Sequence, residues 1–260
     1  MPKKYAFAHP GKIGDFLYML PTVKYICERD DAIADIYTSE MCRPAEQLVR
    51  YQSYVNDFIV PSQYKIIHYN QGVQPWTIPI DDTQYDKVYQ LGFQFFPHAG
   101  PLHIYIASQA GLETVPPPYY DYPDKVYYED PYIVVAHCGS HTNPQIVQAY
   151  KYFIENSPIK VAQIGVEKDR IHANCAYYDH IGINFLDLPA LISRATAYVG
   201  IYSSQLAVAN MFPGLLKIIT SGPSGGEQHG LYIPETISIT EKEATGPNML
   251  KVFNNAIPKL

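Results

Sequence analysis

The sequence predicts an α/β protein of two Rossmann-like domains, each on a parallel, doubly wound sheet, and three features carry that prediction. Short apolar runs rich in β-branched and aromatic residues alternate with segments whose apolar residues recur at helical spacing, which is the pattern of βα units. The alternation is interrupted at residues 114–124, TVPPPYYDYPD, where four prolines fit neither element type and stiffen an extended crossing. Beyond it the same plan begins again with a strand, a polar turn and a helix. Residues 1–118 are therefore read as an N-terminal domain and 119–260 as a C-terminal one; whether the last helix stays with the second domain or returns to the first is open.

The first half opens on the strand YAFAH (5–9), a glycine turn through Gly11 and Gly14, and a helix from near Asp15 to about Arg29. Phe16, Leu17, Leu20, Val23, Ile26 and Cys27 fall on one side of that helix, the stripe of a core-facing element. IADIYT (33–38) reads as a strand, MCRPAEQLVR (41–50) as a helix and VNDFIVP (55–61) as a strand. Residues 63–83 are turn-rich and aromatic without a period, a long loop with room for an edge strand at KIIHY (65–69). YDKVYQL (85–91) is strand-like, and HIYIASQAGLE (103–113) is a helix closing on Gly111.

The second half starts with YIVVAHCGS (132–140), nearly continuously apolar as a buried parallel strand should be. The turn HTNPQ leads to the helix IVQAYKYFIEN (146–156), then to the strand IKVAQIG (159–165) and a charged EKDR. A helix follows from Leu188, with Asp187 as its cap and Pro189 in its first turn. AYVGI (197–201), SSQLAVANMF (203–212) and LLKIITSG (215–222) read as strand, helix and strand, running into GPSGGEQHG. LYIPETISIT (231–240) and a helical tail complete the chain.

Composition narrows the function classes. A net charge of −6 argues against a protein whose main task is gripping nucleic-acid backbone, which needs a basic footprint. Four cysteines without a C-x-x-C pair predict reduced thiols in a cytoplasmic setting. The N-terminus lacks a secretory h-region, and no run approaches the roughly 20 apolar residues of a membrane span. Apart from His137 and His141, four residues apart, the nine histidines are scattered along the chain. No P-loop motif occurs.

Taken in order, several pieces look familiar: KIGDFLYMLPTVKYI (12–26), YDKVYQL (85–91), HIYIASQAGLE (103–113), VVAHCGS (134–140) and DLPALISRATAYVGIYSSQLAVANMF (187–212), the last followed by a strand and Gly222–Pro223. In this order and spacing the chain resembles the bacterial heptosyltransferases and their relatives, glycosyltransferase family 9. The resemblance implies the GT-B architecture, in which two Rossmann-like domains face each other across a cleft. It also implies an inverting, metal-independent transfer from a nucleotide-diphosphate sugar to a hydroxyl acceptor, with no resident cofactor. The family's Asp-Ser/Thr-Gly-x-x-His falls here on Tyr202-Ser203-Ser204-Gln205-Leu206-Ala207, so its Asp, Gly and His are replaced. That replacement leaves a non-catalytic nucleotide-sugar binding protein of the same fold as the alternative.

Asp15 is the leading candidate. It sits at the mouth of a helix where the apolar pattern requires no carboxylate. A plain helix cap is its bland role; the resemblance makes it the base that removes the acceptor hydroxyl's proton. Lys12 and Gly14 beside it are assigned to the acceptor and phosphate side. A leaving nucleoside diphosphate gathers negative charge, so its site needs preorganised donors. Ser203, Ser204 and Gln205 at a helix start, and Gly222 and Ser224 in a glycine-rich turn, are the candidates. His137, Gly139 and Ser140 close one parallel strand. Gly165 and Glu167 close the next, where an acidic residue holds ribose hydroxyls in Rossmann units. The acceptor is open: a surface glycan by family analogy, a protein, or a modified nucleic-acid base, the last disfavoured by charge.

Overall fold

The computed structural model describes residues 2–62, 77–92, 102–137, 144–221, 236–240 and 242–257. The chain divides into two compact units. One comprises Met1–Pro123 with Asn184–Leu186 and His229–Leu231; the other comprises Asp124–Ile183, Asp187–Gln228 and Tyr232–Leu260.

Among the described residues the first unit holds a four-stranded sheet. Its strands are β1 (Lys3–His9), β2 (Ala32–Thr38), β3 (Val55–Ile59) and β4 (Lys87–Gln90), in the order β3-β2-β1-β4. Every pairing is parallel, with β1 in continuous register with β2 from Lys3↔Ala32 to His9↔Thr38. Phe7 stacks on Tyr89 with ring centroids 4.7 Å apart, and Phe16 meets Phe58 edge-on at 6.2 Å. β2 carries Asp35, only 2% exposed. Lys4 Nζ and the Tyr85 hydroxyl both reach its Oδ2 at 2.8 Å, and Asn56 Nδ2 donates to its Oδ1 at 2.7 Å.

The opening helix differs from the expectation of one element from Asp15 to Arg29. It is two helices, α1 (Ile13–Leu17) and α2 (Leu20–Asp30), with a turn between them. Pro21 is the cause. It has no N–H to offer the carbonyl four residues back, and its ring crowds that carbonyl. The carbonyl in question is Leu17's, and the Tyr120 hydroxyl donates to it at 2.9 Å. Tyr120 is fully buried. Removing that hydroxyl strands a buried acceptor, so Tyr120→Phe should lower stability by about 1–2 kcal/mol; a shifted urea midpoint at unchanged slope is the measurement. The predicted helix over 41–50 likewise divides, into a 3₁₀ segment Glu40–Ala45 containing Pro44 and the short α3 (Glu46–Arg50). The last helix of this unit is α4 (Leu102–Gln109).

Among the described residues the second unit holds six strands: β5 (Tyr132–Ala136), β6 (Lys160–Gly165), β7 (Tyr178–Ile181), β8 (Ala197–Ile201), β9 (Leu216–Ser221) and β10 (Thr236–Thr240). They lie in the order β10-β9-β8-β5-β6-β7, all parallel. Numbered within the unit this is 6-5-4-1-2-3, the doubly wound dinucleotide-binding order. Helices α5 (Pro144–Asn156), α6 (Leu188–Ser193), α7 (Ser204–Ala209) and α8 (Gly246–Ala256) complete it. Phe153 of α5 and Phe253 of α8 meet edge-on at 5.4 Å over Ile133, Val135, Val199 and Ile218, so the last helix packs within the second unit. β7 has no counterpart in the sequence reading. It is a four-residue edge strand carrying Asp179 and His180, too short and too polar to stand out by periodicity. Asp187 does take the N-cap position of α6, but its side chain makes no cap bond there; its carboxylate accepts from Lys125 Nζ at 2.6 Å instead. The suggested edge strand at 65–69 lies outside the described residues.

Candidate functional site

In each sheet one pair of neighbouring strands marks the point where chain order reverses: β1 beside β4 in the first unit, β5 beside β8 in the second. Open α/β sheets bind ligands outside the carboxyl ends of strands at that point. The described candidates of both groups stand at or beside that point.

In the first unit β1 ends at His9, and the turn to α1 follows at once. Gly11 is held on both sides, through the peptide before it and the peptide after it. Its N–H donates to His9 Nδ1 at 3.0 Å, while its carbonyl accepts from the Ser39 hydroxyl at 3.2 Å and the Cys42 thiol at 3.5 Å. The Thr38 hydroxyl donates to the His9 carbonyl at 2.9 Å. A Cβ on Gly11 would lie 2.5 Å from His9 Cε1 and 3.4 Å from Asp15 Cβ, so this position takes glycine for close approach. Lys12 occupies the N-cap position of α1 and is exposed, and Gly14 follows half-buried in the first turn. Asp15 is the third residue of α1 and half-buried. It is therefore not the cap residue, and the bland role open to it in the sequence is occupied by another position. Burial pushes the Cys42 thiol up to about 11, and the nearby Asp15 carboxylate adds to that shift. Burial also brings His9 down to about 3, so its imidazole is neutral at physiological pH. His9, Thr38, Ser39 and Cys42 were not among the sequence candidates; the small polar pair closing β2 was the one available signal.

In the second unit Ala136 of β5 is in register with Gly200 of β8, and Val135 with Gln163 of β6. The residues that follow these strands therefore share one edge: His137, the segment Ser203–Gln205, and Gly165 with Glu167. His137 is 2% exposed with its ring 5.8 Å from that of Tyr150. Burial lowers its pKa, and Asp169 works in the opposite direction. The Tyr150 hydroxyl shares a 2.9 Å hydrogen bond with Thr220 Oγ1 behind it. Gly165 closes β6 at φ 144°, backbone that favours glycine. Glu167 is exposed in a 3₁₀ turn, and Arg170 grips its carboxylate through Nε at 2.9 Å and a terminal nitrogen at 2.6 Å, so its acceptor oxygens are already engaged. Ser203 is the N-cap residue of α7, yet its side chain makes no cap bond; Oγ is buried without a hydrogen-bond partner among the described residues. Ser204 Oγ donates to Gln205 Oε1 at 3.3 Å. Gly139, Ser140, Gly222 and Ser224 lie outside the described residues. Among the described residues no group of three His, Cys, Asp or Glu is placed to hold a metal ion, and no helix is long and apolar enough to cross a membrane.

No protein-family model matches the sequence, and no curated protein matches it. Solved structures do. E. coli ADP-heptose lipopolysaccharide heptosyltransferase II superposes with a TM-score of 0.71 at 15% identity, covering 98% of both chains. A family 9 glycosyltransferase of Veillonella parvula gives 0.67 at 11% identity, over 99% of this chain and 90% of that one. The fold is that of the family 9 glycosyltransferases. E. coli heptosyltransferase WaaC, solved with ADP-2-deoxy-2-fluoro heptose, gives 0.66 at 11% identity over 97% and 99%. The heptosyltransferase-like fold thus spans nearly the whole chain at an identity that leaves few side chains in common, and the expectation of paired Rossmann-like domains with parallel sheets holds.

Proposed function

We propose that this protein is a glycosyltransferase that moves a sugar from a nucleotide-diphosphate sugar to a hydroxyl acceptor, with inversion and without a metal. The observation that carries the reading is the placement of Asp15 and of the His137 and Ser203–Gln205 segments at the strand-order reversals of their respective sheets. A carboxylate on a short, rigid turn suits the removal of a hydroxyl proton as oxygen attacks the anomeric carbon. Hydroxyls and backbone N–H groups beyond β5 and β8 suit a diphosphate whose charge grows as the glycosidic bond breaks. The reading assigns acceptor activation to the first unit, with Lys12 and Gly14 beside Asp15, and donor binding to the second. Gly139, Ser140, Gly165, Gly222 and Ser224 complete that donor assignment, and Glu167 serves it only if Arg170 lets go of its carboxylate. The nucleotide sugar is substrate, so no resident cofactor is required. The solved relatives support an ADP-sugar as the first donor to test, since WaaC was solved with an ADP-heptose analogue.

A second reading, a nucleotide-sugar binding protein without turnover, is favoured by one observation: the residues following β8 are Tyr202-Ser203-Ser204-Gln205, without the acid of the family pattern. Titration calorimetry with a panel of ADP-, UDP- and GDP-sugars, followed by an assay for sugar release and transfer, separates the two. Binding with turnover is the expected result. Binding alone selects the second reading, and no binding of any nucleotide sugar overturns both.

A further inference from the structure

The turn that carries Asp15 is short, and the chain spends a buried histidine on it. We propose that His9 is a positioning residue for Asp15: its Nδ1 holds the Gly11 peptide and thereby fixes the strand-to-helix turn that presents the carboxylate. This inference rests on the reading of Asp15 as the base. His9 is fully buried, and its ring meets Phe16, the residue after Asp15, edge-on at 6.4 Å. Its backbone is fixed by β1 and by the Thr38 hydroxyl. Its side chain can accept the Gly11 N–H only as the neutral tautomer with an unprotonated Nδ1, and burial maintains the neutral form. The peptide that follows Gly11 is held as well, since Ser39 and Cys42 donate to the Gly11 carbonyl. Neither peptide flanking Gly11 can rotate without breaking a hydrogen bond, and Asp15 Cβ lies over the space that a Gly11 side chain would fill. A shift of the turn therefore moves the carboxylate directly, and misplacement by ~1 Å costs on the order of 100-fold in rate.

The alternative is a histidine that merely fills core volume, and two substitutions separate the roles. His9→Leu is apolar and suits a core but cannot accept the N–H. His9→Asn is polar and suits a core poorly, yet an Asn side chain accepts the N–H two residues on, as in an Asx-turn. The positioning role predicts that His9→Leu lowers kcat by about 10- to 100-fold with donor KM within about twofold. His9→Asn should retain kcat to within about threefold. Amide exchange at Gly11 should be slow in the wild type and in His9→Asn and fast in His9→Leu. A folded His9→Leu variant with wild-type kcat overturns the inference, as does a His9→Asn variant as impaired as His9→Leu. Should His9→Leu not fold, His9→Asn decides alone: kcat and Gly11 protection retained support the role, and their loss overturns it. Asp15→Asn, run in parallel, keeps the two claims apart. If it has no effect on transfer, the base assignment fails; if it abolishes transfer while His9→Leu does not reduce it, only the positioning role fails.

Discussion

Asp15→Asn should abolish most transfer while leaving the protein folded and its nucleotide-sugar affinity nearly unchanged. The substitution is isosteric and falls at a half-buried position in the first turn of a helix, where an amide is accommodated without loss of packing. What it removes is proton affinity. A positioned general base contributes about 10²- to 10⁴-fold to rate, so kcat should fall by that factor. Donor affinity by calorimetry should move little, because the donor is assigned to the second unit. Equal losses in kcat and kcat/KM mark a group acting only in the transition state. An Asp15→Asn protein retaining more than about a tenth of wild-type kcat would remove the carboxylate from the mechanism.

The second large effect falls on stability. Asp35 accepts from Lys4, Tyr85 and Asn56 in the middle of the first sheet, on strand β2 between β1 and β3. The Tyr85 hydroxyl also shares a 2.8 Å bond with that of Tyr37; burial, Tyr37 and Asp35 together raise its pKa well above the ordinary phenol value. Truncation in Asp35→Ala removes the acceptor from the half-buried Tyr85 hydroxyl, whereas the exposed Asn56 amide can turn to solvent. Lys4 is 39% exposed and can turn to solvent, which holds the cost below that of a fully buried ion pair. A loss of about 2 kcal/mol is expected, measured as the shift in urea midpoint. A loss under about 1 kcal/mol would mean that the network is held by the strands rather than holding them.

Much of this fold was legible because buried parallel strands advertise themselves. Tyr132–Ala136 is apolar at every position and is a strand buried at every position; AYVGI behaves the same way. The edge strand β7 was not legible, since half its residues are polar and its partner lies on one side only. The break between α1 and α2 could have been drawn from Pro21 alone, but the apolar stripe runs through it unaltered and favoured a single helix. The acidic candidate at the turn stood out because a carboxylate there serves no packing need. His9 and Asp35 did not, because their roles come from residues 20 to 50 positions away in the chain, Thr38, Ser39 and Cys42 for one and Asn56 and Tyr85 for the other. Glu167 shows the converse. Its place after β6 was read correctly, but the guanidinium three residues on that engages its carboxylate is invisible to a rule about strand ends.

The bond from Tyr120 to Leu17 spans 103 residues, and it bears on how this polypeptide is made. A nascent chain emerging from the ribosome has its first helix pair in hand early, yet the partner for the carbonyl that Pro21 orphans arrives only after the proline run has been translated. Asp121, whose backbone exchanges hydrogen bonds with the Gln52 amide, arrives with it. A fragment cut at residue 118 would discard both contacts, whereas one carried through Pro123 would keep them. The longer fragment is the one to express when the first unit is wanted by itself.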